Sequence, residues 1–143
     1  MAPPAGQTLP AFRTGVAMGF AEAIQSVFRQ YAGFSGRAPR SEYWWFYLFA
    51  VLLFSASILV DIAITGGLEE GDIPFVTSIL ALGILLPSLA LAIRRLHDTD
   101  RSGWWYLIGL VPLVGGIILL VFFVTRGTDG PNRFGPDPVA RQR

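Results

Sequence analysis

Hydrophobic residues fall along this chain in three long blocks, at 43–65, 73–93 and 104–124, separated by short polar segments. Each block has about the 20 residues needed to cross a ~30 Å hydrocarbon core at 1.5 Å per residue. Ahead of them, Val16, Phe20, Ile24, Val27, Phe28 and Tyr31 recur at helical spacing, while Glu22, Gln25, Ser26, Arg29 and Gln30 fill the other face. The pattern predicts an all-α membrane protein, with three transmembrane helices preceded by an amphipathic interfacial helix at 16–31. Packing of that first helix on the spans is the alternative placement. Pro112, Gly115 and Gly116 interrupt the third block, so a kink or a re-entrant turn at 112–116 is the alternative to a straight third span. The expected organisation is a disordered Pro/Ala/Gly-rich tail at 1–15, a single small membrane domain at 16–138 and a short carboxyl tail at 139–143.

Composition strengthens the membrane reading. The 143 residues are 52% hydrophobic and 15% charged, against roughly 25% charged in an ordinary soluble domain. Three buried core helices of a soluble protein would need polar cover that the remaining chain is too short to supply. The first apolar block starts at Tyr43, too far in for a signal peptide, and no small-residue cleavage site follows it. Cysteine is absent, which removes disulfides, thiol redox chemistry and thiolate metal sites.

Charge adds a direction. All eleven basic residues are arginine, a side chain that holds phosphate or carboxylate bidentately and does not deprotonate. Arg29, Arg37 and Arg40 precede the first block, and Arg94, Arg95 and Arg101 follow the second, whereas the intervening loop 66–72 is acidic and has no basic residue. The positive-inside rule then predicts a cytoplasmic amino terminus and a periplasmic 66–72 loop. The aromatic triplets Tyr43-Trp44-Trp45 and Trp104-Trp105-Tyr106 fit a common cytoplasmic interface. Three spans place the carboxyl terminus in the periplasm. Arg126, Arg133, Arg141 and Arg143 in the tail argue the other way, and a re-entrant third block would satisfy them.

The densest chemistry lies at 94–106, where Arg94, Arg95, His97, Asp98, Asp100 and Arg101 fall between two apolar blocks. If the second helix continues past Ile93, Arg94 and Asp98 stand four residues apart and are expected to pair on one face. Ser102 and Gly103 turn the chain into the third block. His97 has the chemistry of a general base, but no nucleophile accompanies it, and no metal-ligand spacing of histidines or carboxylates exists in the chain. No metal or cofactor is expected. Asp61 is the lone acid inside an apolar block and is expected near the outer boundary, with its carboxylate reaching water. In the tail, Asn132, Phe134 and Asp137 stand among turn-forming Gly-Pro pairs, which suggests a folded cap over the helix ends. There is no phosphate loop and no basic domain for nucleic acid.

Three segments carry a family resemblance. Gly36-Arg37-Ala-Pro-Arg40-Ser-Glu42-Tyr43-Trp44 is the first, and Arg94-Arg95-Leu-His97-Asp98 with Ser102-Gly103 and Trp105 is the second. The third is Gly127-Thr-Asp-Gly130-Pro-Asn132-Arg-Phe134-Gly135-Pro-Asp137-Pro138. In this order they resemble the bacterial inner-membrane family known as domain of unknown function 805, of the YhaH/YhaI type. The resemblance runs from about Tyr31 to Pro138. It implies a small multi-spanning inner-membrane protein with no established activity, substrate or cofactor.

All three segments are polar stretches at helix ends, whereas a channel or pump concentrates its specific residues across the membrane thickness. The expected role is therefore a binding or assembly module. Arg37, Arg40, Arg94, Arg95 and Arg101 would form an anionic-headgroup or partner surface, and His97, Asp98, Ser102, Gly103, Asn132, Phe134 and Asp137 a structural motif. Membrane lipids, a membrane-protein partner or a second copy are the expected partners. The alternatives are an oligomeric transporter or channel component, and a membrane-embedded enzyme using His97 and Asp98.

Overall fold

The computed structural model describes residues 18–67, 69 and 72–139. The expected disordered tail at 1–15, Val16 at the start of the amphipathic stretch, and 140–143 lie outside the described residues. Four α-helices follow one another: α1 (Phe20–Arg29), α2 (Arg40–Thr65), α3 (Phe75–Asp98) and α4 (Val114–Val124). A 3-10 helix, Gly103–Leu110, lies between α3 and α4. Among the described residues there is no strand, only one isolated bridge between Asn132 and Gly135.

Helices α2 and α3 are long and apolar enough to cross a membrane. Their 26 and 24 residues give about 39 and 36 Å at 1.5 Å per residue, against a core of ~30 Å. They form an antiparallel pair held at both ends. At the far end Asp61, expected to be wet, is instead buried at 3% exposure. Its carboxylate accepts the Val76 and Thr77 backbone N–H groups at 2.8 and 2.9 Å. Asp61 thereby caps the start of α3 from α2, where orphan N–H groups and the helix dipole favour a carboxylate.

Helix α1 is docked on this pair. Its fully buried Ala23 and Val27 form its inner face. Val27 joins Ala38, Phe46, Ile84 and Leu91 in one core cluster, and Phe28 meets Phe46 and Phe49 edge-on at 5.9 and 6.1 Å. Packing on the spans, the alternative placement from sequence, is therefore what these residues adopt. The turn beyond α1 serves α3 as well. Pro87 has no N–H to bond the Gly83 carbonyl four residues earlier, and the Tyr31 hydroxyl donates to that carbonyl instead.

The third apolar block departs from a straight span. The 3-10 helix enters from the end of α3, the chain reverses at 111–113, and α4 returns over 11 residues, about 16 Å. The reversal is a γ-turn: Leu113 has φ 63° and ψ −62°, and the Val114 N–H donates to the Pro112 carbonyl at 2.7 Å. Glycine makes the hairpin possible, because a Cβ on Gly115 would lie 1.7 Å from the Ile108 carbonyl oxygen. The third block thus forms a hairpin of a 3-10 helix and a short α-helix in place of one straight helix. The tail is bonded to the same end of the molecule as residues 36–40, so it does not lie opposite the amino-terminal arginines.

Candidate functional site

Five charged side chains are buried where α3 ends: Arg37, Glu42, Arg94, Arg95 and Asp98. A buried charge is tolerated only when paired and hydrogen-bonded, and each of these is. Both terminal nitrogens of Arg94 donate to Glu42 Oε1, at 3.2 and 3.3 Å. Ser26 Oγ donates to the same oxygen at 2.9 Å, so one carboxylate oxygen joins α1, α2 and α3. Arg94 Nε is buried with no hydrogen-bond partner.

Asp98 is the second centre. Its Oδ1 accepts from Arg37 Nε at 3.0 Å, and its Oδ2 accepts from Arg95 Nη1. The expected pairing of Arg94 with Asp98 is corrected: Asp98 pairs three residues back with Arg95, and Arg94 reaches across to Glu42. The remaining arginine nitrogens satisfy carbonyls of the returning chain. Arg95 donates to the Phe123 and Thr125 carbonyls at the end of α4, where a cation complements the helix dipole. Arg37 donates to the Thr128 and Gly130 carbonyls, both at 2.7 Å.

The tail closes over these pairs. The Thr128 N–H donates to the Asp98 backbone carbonyl at 2.8 Å. Asn132 Nδ2 donates to the His97 carbonyl at 2.9 Å, and Asn132 Oδ1 accepts the Phe134 N–H at 2.9 Å. Phe134 lies flat on the His97 ring, with centroids 4.0 Å apart and planes 3° from parallel. Asp137 accepts the Gly130 N–H at 3.1 Å. Gly127 must be glycine at this approach, since a Cβ there would sit 2.1 Å from Asp98 Oδ2. Ser102 caps the 3-10 helix by accepting the Trp104 N–H at 3.4 Å, and a Cβ on Gly103 would meet Ile93 Cγ2 at 2.8 Å.

This geometry bears on the enzyme alternative. His97 Nδ1 lies 3.0 Å from the Gly36 carbonyl, so in the neutral ring that nitrogen carries the proton as donor. One ring face is covered by Phe134, and both Asp98 oxygens are committed to arginines. Among the described residues no group of three or more His, Asp or Glu side chains is placed to hold a metal ion.

The five arginines read as a headgroup surface separate into two groups. Arg37, Arg94 and Arg95 are at most 9% exposed, drawn inward by Asp98, Glu42 and the tail carbonyls. Arg40 is exposed, and no ion pair among the described residues uses it. Arg101 is half-buried, with its guanidinium 4.0 Å above the Phe122 ring. Two exposed arginines join the rim from the tail. Arg126 lies 3.6 Å from Asp129 across a solvent-exposed pair, and Arg133 lies 3.3 Å from Asp100. Sequence reasoning passed over the Glu42–Arg94 pair because 52 residues separate its members, and no periodicity spans that gap.

Residues 31–136 match the family described as a protein of unknown function, DUF805. The chain belongs to the DUF805 family. It is 51% identical over 113 residues to the inner membrane protein YhaI of Escherichia coli K12, covering 79% of this chain and 92% of that protein. It is 45% identical over 112 residues to the inner membrane protein YhaH of the same strain, covering 78% and 92%. No solved structure matches. The DUF805 region contains both members of every buried ion pair described above, whereas α1 lies ahead of it.

Proposed function

We propose that the protein is a binding or assembly module of the bacterial inner membrane. In this reading the ion-paired end faces the cytoplasm, and its exposed arginines hold anionic headgroups. The observation that carries it is the segregation of charge between the two ends of the α2–α3 pair. One end gathers Arg37, Arg40, Arg94, Arg95 and Arg101 together with the tail, while the loop at the other end, 66–72, has acids and no base. The positive-inside rule assigns the arginine end to the cytoplasm, and the returning hairpin brings the tail arginines to that same side. Buried ion pairs are not free to bind a headgroup, so the binding role falls to Arg40, Arg101 and Arg126. Asp61 serves as a helix cap, with both carboxylate oxygens committed to the α3 backbone.

Two experiments test this. Reporter fusions after Gly67 should read periplasmic and fusions after Val139 cytoplasmic; a periplasmic reading at Val139 would overturn the topology. Purified protein should retain anionic over zwitterionic phospholipid, and the preference should fade as salt rises, because exposed charges are screened. Retention indifferent to headgroup charge would remove the binding role.

A further inference from the structure

Two grooves meet at one side chain. The first, about 700 Å³, opens at the rim between the start of α2 and the tail and is bordered by Arg40, Ser41, Trp45 and Arg126. Asp98 contributes to its wall, but that carboxylate is already held by Arg37 and Arg95, so the local balance stays positive. The second, about 610 Å³, is apolar and lies among α2, α3 and α4. Along α2 it extends from Tyr43 to Phe54, a drop of about 16 Å at 1.5 Å per residue. Trp44 lines both.

We infer that these grooves form a single two-part site for one anionic phospholipid. The phosphate is held between Arg40 and Arg126 in the first groove, and one acyl chain lies in the second. The inference rests on the headgroup reading above and deepens it from a rim of charge to a discrete site. Three features select this occupant. Arg40 has no carboxylate partner among the described residues, and Arg126 has only an exposed one, so both are open to a phosphate, which arginine binds bidentately. Trp44 stands where the grooves join and Trp45 borders the first, and tryptophan settles at the boundary between headgroups and hydrocarbon. The depth of the apolar groove is about half of a ~30 Å hydrocarbon core, which suits a chain from one leaflet and not a path through both.

Gly116 supplies the test, since it lines the apolar groove and a Cβ built on it meets nothing within 4 Å. Gly116→Phe should fill the groove without touching the ion pairs, and Ser88→Leu on another wall provides a second block should the first variant misfold. Native mass spectrometry of detergent-purified protein would be titrated with dioleoyl phosphatidylglycerol, dioleoyl phosphatidylcholine and inorganic phosphate. Wild type should bind one phosphatidylglycerol saturably, with phosphatidylcholine at least tenfold weaker and phosphate without measurable effect. Arg40→Gln with Arg126→Gln should weaken phosphatidylglycerol at least tenfold, and Gly116→Phe at least fivefold. If the arginine variant weakens binding and both groove blocks leave it unchanged, the two-part site is wrong and the headgroup rim stands. If neither kind of variant changes binding, both readings fail.

Discussion

The same residue type does opposite work at one end of this molecule. Arg37, Arg94 and Arg95 are buried and bonded to carboxylates and carbonyls from distant parts of the chain. Arg40, three residues after Arg37 at the start of α2, is exposed and free of ion pairs among the described residues. A buried arginine has no water to fall back on, so removing its counter-charge is costly, whereas an exposed one contributes little to stability and is available to a ligand. Local charge density therefore does not identify a binding surface here. What decides is whether a carboxylate inside the fold reaches the arginine first.

The comparison breaks most visibly at Asp98. Asp98→Ala strands two buried guanidinium groups and should cost about 3–5 kcal/mol, read as a large fall in thermal midpoint. A change near that of a surface substitution would mean the pairs are not internal. Gly115→Ala comes next. Its methyl would drive into the Ile108 carbonyl, and forcing the hairpin apart should cost about 1–3 kcal/mol. A straight third helix would have no reason to object to alanine at that position, so an unaffected variant would count against the hairpin.

The two long helices were legible in the chain because an apolar run of about 20 residues is a local property. The three polar segments were legible as special because charges and glycines cluster at the ends of apolar blocks. Which charge meets which was not legible. Arg94 and Asp98 have ideal local spacing, yet Glu42 and Arg37 outcompete that pairing once α2 lies beside α3. The hairpin was visible only as Pro112, Gly115 and Gly116, residues equally compatible with a kink. Its decisive contact, Gly115 against the Ile108 carbonyl, is a matter of close backbone approach that composition does not encode. Asp61 was misread for a related reason: its partners are backbone N–H groups of α3, which leave no mark in sequence.

Smaller effects sharpen the contrast. Tyr31→Phe deletes the donor that substitutes for the missing N–H of Pro87, leaving the Gly83 carbonyl without that bond. The expected loss is about 1–2 kcal/mol, and a neutral result would mean that the helix or water supplies another partner. Arg40→Gln should move stability by no more than about 0.5 kcal/mol while lowering retained anionic lipid, an effect that rising salt should mask in the wild type. Equal losses of stability in Arg40→Gln and Asp98→Ala would erase the distinction between the two groups.

The central claim is that the polar segments lock to one another inside the protein, and a double-mutant cycle on Arg37 and Asp98 tests it most directly. Thermal unfolding in a mild detergent of Arg37→Gln, Asp98→Asn and the double variant yields their coupling energy. A buried, hydrogen-bonded pair at 3.0 Å should couple by about 2–3 kcal/mol, with the double variant much less impaired than the sum of the singles. Additive losses, with coupling within about 0.5 kcal/mol of zero, would contradict the account.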